Sequence, residues 1–444
     1  MISILSWLWR RAAALVMVIA FTVAAGEAHA GPYTRLQVLL PGETAAPGTS
    51  QGKTGTPRAQ VAGVPFNVTF RACDSSWNTV TTVTDAIQTL TSDASATLPP
   101  VTQLVNGTIT LSVTFDAAGT FTVYGHDQTD GTIPDGVSAP VLCQVLQGFT
   151  FSKITQKNQY AGSPMTITLN AVDPSGNTVT GFAGPVRVKE ITSYGDGRCS
   201  PDSVVLAAGT WTGPITMYRA DETSINRGNV NLYAWLSSNA ARNGTSDPFT
   251  VHPGTFARVQ IVVPGQNPLP GSVSGVTGTP ATQSAGKTFP VTVYSTDNSW
   301  NPLPSGDNVR ITSSDGAANT PLTGALSNGV RAFNVSLGTV GTQTLTVSDQ
   351  TNPGITAMTS AGIQVIPSAV DHFVISAIAT PQIAGAPVPV TIRAADVSGN
   401  TVPGYAGDAN LAANTGAGSM NPERITLANG TWTGPMRPAS TAAT

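Results

Sequence analysis

Apolar residues at every second position mark four short stretches of the chain. The residues between them are mostly polar, so an extended strand would bury one face and expose the other to water. The pattern predicts such strands at Phe66/Val68/Phe70, Met165/Ile167/Leu169, Phe289/Val291/Val293 and Val388/Val390/Ile392. No helical periodicity of useful length occurs beyond Ala30, so the pattern predicts an all-β protein.

Each of these strands leads into a turn that begins with aspartate. The turns start at Asp74, Asp173, Asp297 and Asp396. Around them the sequence repeats with a period of about 223 residues, so that "DSSWN" returns as "DNSWN" and "DPSGNTVTGFAG" as "DVSGNTVPGYAG". Each half of the chain therefore holds two related but distinct modules, in the order A-B-A-B. Modules of about 100 residues with short alternating strands predict tandem immunoglobulin-like β-sandwiches.

The repeat also sets the expected module boundaries. We predict module A1 at 31–147, module B1 at 148–254, module A2 at 255–368 and module B2 at 369–444. The junctions "VHPGT" and "VIPSA" are short and contain proline, which restricts the backbone. Such junctions favour a stiff array over loosely tethered domains.

The phrase "GTWTGP" occurs twice, at Gly209–Pro214 and Gly430–Pro435, because module B recurs. Its tryptophan is interpreted as a packing residue. After Pro214 module B1 continues through "VNLYAWL", whereas only "MRPASTAAT" follows Pro435. The sequence therefore predicts that module B2 is incomplete and that the chain is a fragment of a longer gene product.

The N-terminal segment Met1–Ala30 is typical of a secretory signal peptide. Two arginines precede an apolar run, and a small-x-small pattern ends at Ala30, after which we expect cleavage. The run is shorter than the ~20 residues of a membrane-spanning helix, and no later segment is apolar enough to span a bilayer. The predicted location is secreted or extracellular, at the cell surface.

Composition narrows the class of protein. The full chain has 21 Lys and Arg against 24 Asp and Glu, and loss of Arg10, Arg11 and Glu27 with the signal peptide leaves 19 against 23. This balance is unlike that of a nucleic-acid-binding protein. Of the three cysteines, Cys73 and Cys143 fall in one module and form the best candidate pair for a disulfide, with Cys199 left over. The second half has no cysteine, so the fold cannot depend on that bridge.

The combination "AGxPfxVTixAxDxxGNxV", clearest at 161–179 and 384–402, resembles bacterial immunoglobulin-like repeats of invasin/intimin-type surface proteins. The A modules depart from it, with Trp77 and Trp300 where the B modules have Gly176 and Gly399. The resemblance implies the sandwich fold. It assigns no binding residue, since such modules serve adhesins, secreted enzymes and stalks.

Candidate chemistry is sparse. Asp173 with Asn177, and Asp396 with Asn400, place oxygen ligands in tight loops that could hold Ca²⁺. The simpler interpretation is a turn in which the aspartate caps backbone amides. No other cofactor is predicted. The histidines beyond Ala30 lack zinc-site spacing, and no strained nucleophile turn occurs, which disfavours an enzyme.

Trp77 and Trp300 are candidate aromatic platforms for a sugar ligand, the alternative being that each folds back onto its sandwich. The Gly/Pro-rich insertions at 41–57 and 264–280 are the preferred surfaces for a partner, because recognition often lies in loops.

Two functions follow. The first is a secreted or cell-surface adhesin or structural stalk without catalysis, whose partner is a protein or glycan on a host or neighbouring cell. The second treats the modules as spacers of an exported hydrolase with its catalytic domain beyond Thr444.

Overall fold

A computed structural model of the chain describes residues 30–221, 230–383, 385–412 and 420–438. All regular structure in these ranges is β-strand, as predicted. The chain divides into two compact units between Val145 and Leu146. The first unit holds the strands of module A1 and the second those of modules B1, A2 and B2. The predicted signal peptide lies, apart from Ala30, outside the described residues.

Module A1 contains twelve short strands. They are Arg35–Leu39 (β1), Glu43–Ala45 (β2), Lys53–Gly55 (β3), Gln60–Val61 (β4), Phe66–Cys73 (β5), Ala86–Thr91 (β6), Thr102–Gln103 (β7), Thr108–Val113 (β8), Gly119–Phe121 (β9), Val123–Asp127 (β10), Gly136–Val137 (β11) and Val141–Gln144 (β12). One sheet has the order β1-β5-β8 and another β11-β10-β6-β7, while β4-β12-β9 and the β2-β3 hairpin are separate.

The core of module A1 lies between its sheets. Leu36 and Phe70 from β1 and β5 pack in one hydrophobic cluster with Ile87 and Val123 from β6 and β10. Gly125 in β10 permits the close approach, because a Cβ there would lie 2.7 Å from carbon atoms of Leu36 and Phe70. Inward residues from two sheets therefore fill one layer, as a β-sandwich requires.

Module B1 contains eleven strands in its described residues. They are Gly148–Phe151 (β13), Asn158–Tyr160 (β14), Pro164–Val172 (β15), Gly184–Thr192 (β16), Gly195–Gly197 (β17), Cys199–Ser200 (β18), Ser203–Leu206 (β19), Thr210–Met217 (β20), Asn231–Leu236 (β21), Asn239–Thr245 (β22) and Thr250–His252 (β23). The main sheets have the orders β13-β15-β20-β18 and β17-β16-β21-β22, with β19 paired to β16 and β14 to β23.

Module A2 repeats module A1 strand for strand. Its strands are Arg258–Val262 (β24), Gln266–Pro268 (β25), Val276–Gly278 (β26), Gln283–Ser284 (β27), Thr288–Thr296 (β28), Asn308–Ser313 (β29), Leu322–Ala325 (β30), Val330–Ser336 (β31), Gly341–Gln343 (β32), Leu345–Asp349 (β33), Met358–Thr359 (β34) and Ile363–Ile366 (β35). The sheets are β24-β28-β31, β30-β29-β33-β34, β27-β35-β32 and the β25-β26 hairpin.

Module B2 is described up to Pro438. Its strands are His372–Ile375 (β36), Val388–Ala395 (β37), Gly407–Asn410 (β38), Met420–Asn421 (β39), Arg424–Leu427 (β40) and Thr431–Pro438 (β41). They form the sheet β36-β37-β41-β39 and the pair β38-β40. Phe373 on β36 is 41% exposed, whereas Phe149 at the same place on β13 is 3% exposed. In module B1 this edge is covered by β22, where Gly244 closely approaches Phe149.

Hydrophobic clusters stay within single modules in A1, A2 and B2. The cluster of module B2, for example, includes Val390 and Ile392 from the alternating strand predicted by sequence, with Trp432 of "GTWTGP" packed against it. The three clusters share no residue, so each of these modules has a core of its own. This arrangement confirms the prediction of tandem all-β sandwiches.

In each module a two-residue turn leads into the strand that pairs with the central strand, namely β8, β20, β31 or β41. Both turn residues have positive φ at Asn106-Gly107, Ala208-Gly209, Asn328-Gly329 and Asn429-Gly430. Positive φ at both positions defines the type I′ turn of a tight β-hairpin. The second residue must be glycine, because a Cβ there would lie 2.1–2.4 Å from a carbonyl oxygen of the loop beyond the aspartate turn.

Module B1 is the exception at the first turn position, where it carries Ala208 at φ 50°. Asparagine tolerates this conformation better than alanine. We expect Ala208→Asn to raise the free energy of unfolding by about 1 kcal/mol, measured by urea denaturation. Asn429→Ala, the reverse change in module B2, should lower it by a similar amount. An Ala208→Asn protein no more stable than the wild type would contradict this interpretation.

Candidate functional site

The four aspartate turns, 74–78, 173–177, 297–301 and 396–400, share one hydrogen-bond pattern. In each, one carboxylate oxygen accepts the backbone N–H groups of the third and fifth residues at 2.7–3.0 Å. The other oxygen accepts the side-chain Nδ2 of the closing asparagine at 2.9–3.2 Å. The aspartate thus caps the donors of its own turn, in the manner of an Asx turn.

This geometry bears on the predicted calcium ligands Asp173, Asn177, Asp396 and Asn400. Each pair is joined by an N–H···O bond from the asparagine to the aspartate, so the amide presents a donor where Ca²⁺ needs oxygen. Within the described ranges no cluster of three or more His, Cys, Asp or Glu side chains could hold a metal ion. The calcium interpretation stays a prediction, and the turn explains these residues without it.

The hydrogen bonds lower the pKa of three of the turn aspartates, Asp74, Asp173 and Asp396, in the last case against the opposing effect of burial. For Asp74 the amide of Asn78 and the backbone N–H of Gly31 lower the pKa to about 2. The backbone N–H of Asn177 lowers the pKa of Asp173. These carboxylates are therefore charged at neutral pH.

The same carboxylate also holds the segment that enters the module. The incoming N–H donors are Gly31 to Asp74 (2.9 Å), Gly254 to Asp297 (2.7 Å) and Ser368 to Asp396 (3.1 Å). One buried anion thereby fixes both the turn and the start of its own module. Charge-assisted bonds of this kind are stronger than neutral ones.

Asn301 extends this network from module A2 to module B1. Its Nδ2 donates to the carbonyl oxygen of Tyr218 at 2.8 Å, and its Oδ1 accepts the N–H of Ala220 at 2.8 Å. Tyr218 and Ala220 follow β20 of module B1, and Asn301 is fully buried. The amide therefore binds the backbone of the preceding module through both of its polar atoms. We call this contact the asparagine clamp.

A second asparagine clamp joins module B2 to module A2. Asn400 Nδ2 donates to the carbonyl oxygen of Gly338 at 2.6 Å, and Asn400 Oδ1 accepts the N–H of Val340 at 3.5 Å. Gly338 and Val340 follow β31, the counterpart of β20, at the positions that correspond to Tyr218 and Ala220. Two junctions within the second compact unit therefore use one design.

A buried carboxylate shapes the loop that receives each clamp. In module A2, Asp315 Oδ2 accepts the N–H groups of Gly338 (2.6 Å) and Thr339 (2.9 Å). In module B1, Glu190 Oε2 accepts those of Tyr218 (3.3 Å) and Arg219 (3.2 Å). Loop conformation and clamp position are therefore coupled.

Glu190 differs from Asp315 in its surroundings. It lies on β16 with no exposed surface, and its Oε1 has no hydrogen-bond partner among the described residues. Burial raises its pKa to about 8, against the opposing effect of the hydrogen bonds from Arg219 and Tyr218. A carboxyl group in this state is largely protonated at neutral pH.

Trp77 and Trp300 occupy the turn position that holds glycine in the B modules. Their φ values are 65° and 66°, a region that costs a residue with a side chain about 1–2 kcal/mol. The insertions predicted as partner surfaces fold over these rings, so that a Cβ on Gly52 or Gly275 would lie within 2.4 Å of ring atoms. An arginine, Arg35 or Arg258, lies over each ring.

Trp300 is 9% exposed, and its Nε1 donates to the carbonyl oxygen of Val273 at 3.2 Å. Trp300 is thus packed beneath the insertion, which is the alternative that the sequence left open. Trp77 is partly exposed and lines a pocket of about 350 Å³ in module A1, together with Lys53 and Asp135. A role for Trp77 in ligand contact stays a prediction.

The cysteines and His126 belong to no cluster of metal-binding side chains among the residues that the structure describes. Cys73, Cys143 and Cys199 are buried free thiols, so the candidate Cys73–Cys143 bridge is not formed. Burial raises their pKa values, to about 11 for Cys73 and Cys143 and about 12 for Cys199. Such thiols stay protonated and are weak nucleophiles. His126 pairs with Asp135 at an exposed position.

Sequence reasoning found the aspartate turns but not the clamps. The asparagine that closes each turn is visible in all four repeats, yet the clamp partners Tyr218 and Gly338 lie 83 and 62 positions away along the chain. Glu190 was also missed, because a single glutamate in an alternating strand carries no sign of its burial. The asparagine recurs in all four turns, but without the further oxygen ligands that a metal site would need. This recurrence was the signal that could have suggested a structural contact.

No protein-family model matches this chain, and neither does any curated protein. Among solved structures it is similar to the Escherichia coli adhesin FdeC, at 17% identity and a TM-score of 0.24, over 76% of this chain and 99% of that one. It is similar to domains 4–9 of the surface-layer protein SbsC, at 16% identity and a TM-score of 0.23, over 83% of this chain and 54% of that one. It is also similar to invasin, a bacterial integrin-binding protein, at 14% identity and a TM-score of 0.21, over 81% of this chain and 76% of that one. TM-scores this low carry no argument about function. Within the described ranges, no helix is long and apolar enough to cross a bilayer.

The clamp at Asn301 should contribute measurably to stability. Asn301→Ala leaves the carbonyl of Tyr218 and the N–H of Ala220 without partners, which we expect to lower the free energy of unfolding by about 2 kcal/mol. Asn78→Ala is the matched control, because among the described residues the Asn78 side chain bonds only to Asp74. Denaturant unfolding, with limited proteolysis at 251–255, measures both. Equal effects of the two substitutions would contradict a special role of the clamp.

Glu190 should make stability fall with rising pH. Its pKa is about 8 in the folded chain and about 4.5 when unfolded, so its contribution is fully present below pH 4.5 and is lost as the pH rises through 8. We expect Glu190→Gln to abolish this loss, about 5 kcal/mol in total. Urea unfolding of both proteins from pH 5 to 9 measures it, at about one-unit steps. Parallel pH profiles would show that Glu190 does not titrate in this range.

Proposed function

We propose that the chain is an extracellular, surface-associated protein whose immunoglobulin-like modules act as a structural stalk or adhesin. One observation carries the proposal: the clamps at Asn301 and Asn400 hold successive modules through bidentate backbone contacts. A role that depends on reach needs junctions that resist bending, and flexible linkers would not provide them.

Further features support the same role. The N-terminal segment is typical of an exported protein, and the buried thiols suit a chain that does not rely on disulfides. The polar contacts shared by the two junctions bind backbone atoms, so the clamp tolerates variation in side chains. That property suits a protein assembled from diverging copies of one module. The partner of such an adhesin would be a protein or glycan on a host or neighbouring cell.

Small-angle X-ray scattering of residues 31–444 tests the proposal. We expect the wild-type chain to scatter as an elongated particle with a single well-defined maximum dimension. The double variant Asn301→Ala/Asn400→Ala should give a broader distribution of dimensions, because both clamps are lost. Asn78→Ala again serves as the control that keeps both clamps.

A compact wild-type particle, or identical scattering from the wild type and the double variant, would overturn the stalk role. Export is tested separately by expressing residues 1–444 in a bacterial host. We expect mature protein outside the cytoplasm with Gly31 as its first residue, identified by N-terminal sequencing.

A further inference from the structure

An open groove of about 650 Å³ lies between modules B1 and A2, within the second compact unit. Module B1 contributes Tyr160, Ser163, Arg198 and Tyr218 to its walls, and module A2 contributes Thr255 and Ser299. The volume falls within the range of about 300–1,000 Å³ found for small-ligand sites. This groove is absent from every prediction made from the sequence.

The groove is held in a fixed shape by the junction. Asn301 clamps one wall to the other, and Asp297 holds the linker residue Gly254. Arg198 Nε also donates to the carbonyl oxygen of Gly271, at the tip of the insertion of module A2, at 3.3 Å. A preformed groove loses little conformational entropy when a ligand binds.

The lining of the groove carries one cation, Arg198, and one acid, Asp297. Arg198 is an exposed residue, and its guanidinium stacks on the ring of Tyr218 with 3.6 Å from Cζ to the ring centre. Arg219 lies close by against Gly271, and no carboxylate of the described residues forms an ion pair with either arginine. The acid in the wall, Asp297, already accepts four N–H donors.

The remaining lining suits a sugar. The Tyr160 side chain is apolar on its faces and 55% exposed, which leaves ring surface for stacking. Ser163, Thr255 and Ser299 provide hydroxyl groups that can donate and accept hydrogen bonds. An aromatic face with surrounding hydroxyls fits a pyranose ring, and the guanidinium fits a carboxylate bidentately.

The second junction shows that these residues are not needed for the clamp. There the positions of Tyr160, Tyr218 and Arg219 are held by small or uncharged residues, namely Ser284, Gly338 and Thr339. The asparagine clamp forms at both junctions all the same. Arg198 adds one bond to the first junction through its Nε, but its Nη groups and the exposed ring of Tyr160 take no part in the clamp.

We infer that the groove between modules B1 and A2 binds a saccharide that carries a carboxylate. Arg198 pairs with the carboxylate through its Nη groups, Tyr160 stacks on the sugar ring, and the hydroxyls of the groove bond to those of the sugar. This inference does not rest on the stalk role, because the clamps hold whether or not a ligand is bound.

Binding of two acidic probes, sialyllactose and trigalacturonate, to residues 31–444 tests the inference by titration calorimetry and saturation-transfer NMR. Lactose is the neutral comparison. We expect at least one acidic probe to bind more tightly than lactose, by about tenfold or more. Arg198→Gln and Tyr160→Ala should each weaken that binding by a similar factor.

Arg310→Gln is the matched control, because Arg310 is an exposed arginine of module A2 outside the groove. It should leave binding unchanged, and Arg198→Lys should recover part of the affinity lost in Arg198→Gln. Unchanged thermal unfolding shows that each variant is folded. Failure of both acidic probes to bind, equal binding of lactose, or full binding by folded Arg198→Gln would overturn the inference. None of these results would alter the scattering expected of a stalk.

Discussion

The structure depends on the need to satisfy the carboxylates of the aspartate turns, of which those of Asp74, Asp297 and Asp396 are buried. An ionised carboxylate away from water is costly unless donors surround it. Asp297 meets this need with two N–H groups of its turn, the linker residue Gly254 and the amide of Asn301. Because Asn301 Nδ2 is oriented toward the carboxylate, the same amide also faces the backbone of module B1. Turn, linker and junction are thus held together by one charge.

The same constraint explains why the junctions resemble each other while their surroundings differ. The clamp uses only an amide and two backbone groups, so it does not depend on the side chains of the receiving loop. Module A2 supports that loop with Asp315, and module B1 supports it with the longer Glu190. Glu190 reaches the loop from a fully buried position, and its second oxygen has no partner among the described residues. Module B1 thus buries a carboxylate oxygen that lacks a hydrogen-bond partner among the described residues, whereas Asp315 of module A2 has no such oxygen.

The elements that sequence reasoning predicted well are those that local rules control. Alternation identified the central strands, because a half-buried strand repeats every second residue. The Asn-Gly pairs adopt type I′ turns by the same kind of local rule, because these turns need positive φ at both positions. The tryptophan of "GTWTGP" was correctly interpreted as packing. The sequence left open whether Trp300 packs or faces a ligand, since nothing in a polar turn sequence indicates that a distant glycine-rich insertion covers the ring.

By itself the sequence determined the number of modules, their order, their all-β character and the turn that opens each loop, since all of these follow from periodicity and short-range backbone preference. Only the tertiary structure decided what the turn residues contact. The amide of Asn301 reaches Tyr218, and a groove opens beside Arg198, because two sandwiches meet at a particular angle and distance. Contacts between residues far apart in the chain leave no periodic trace, so they emerge only when the modules are placed side by side.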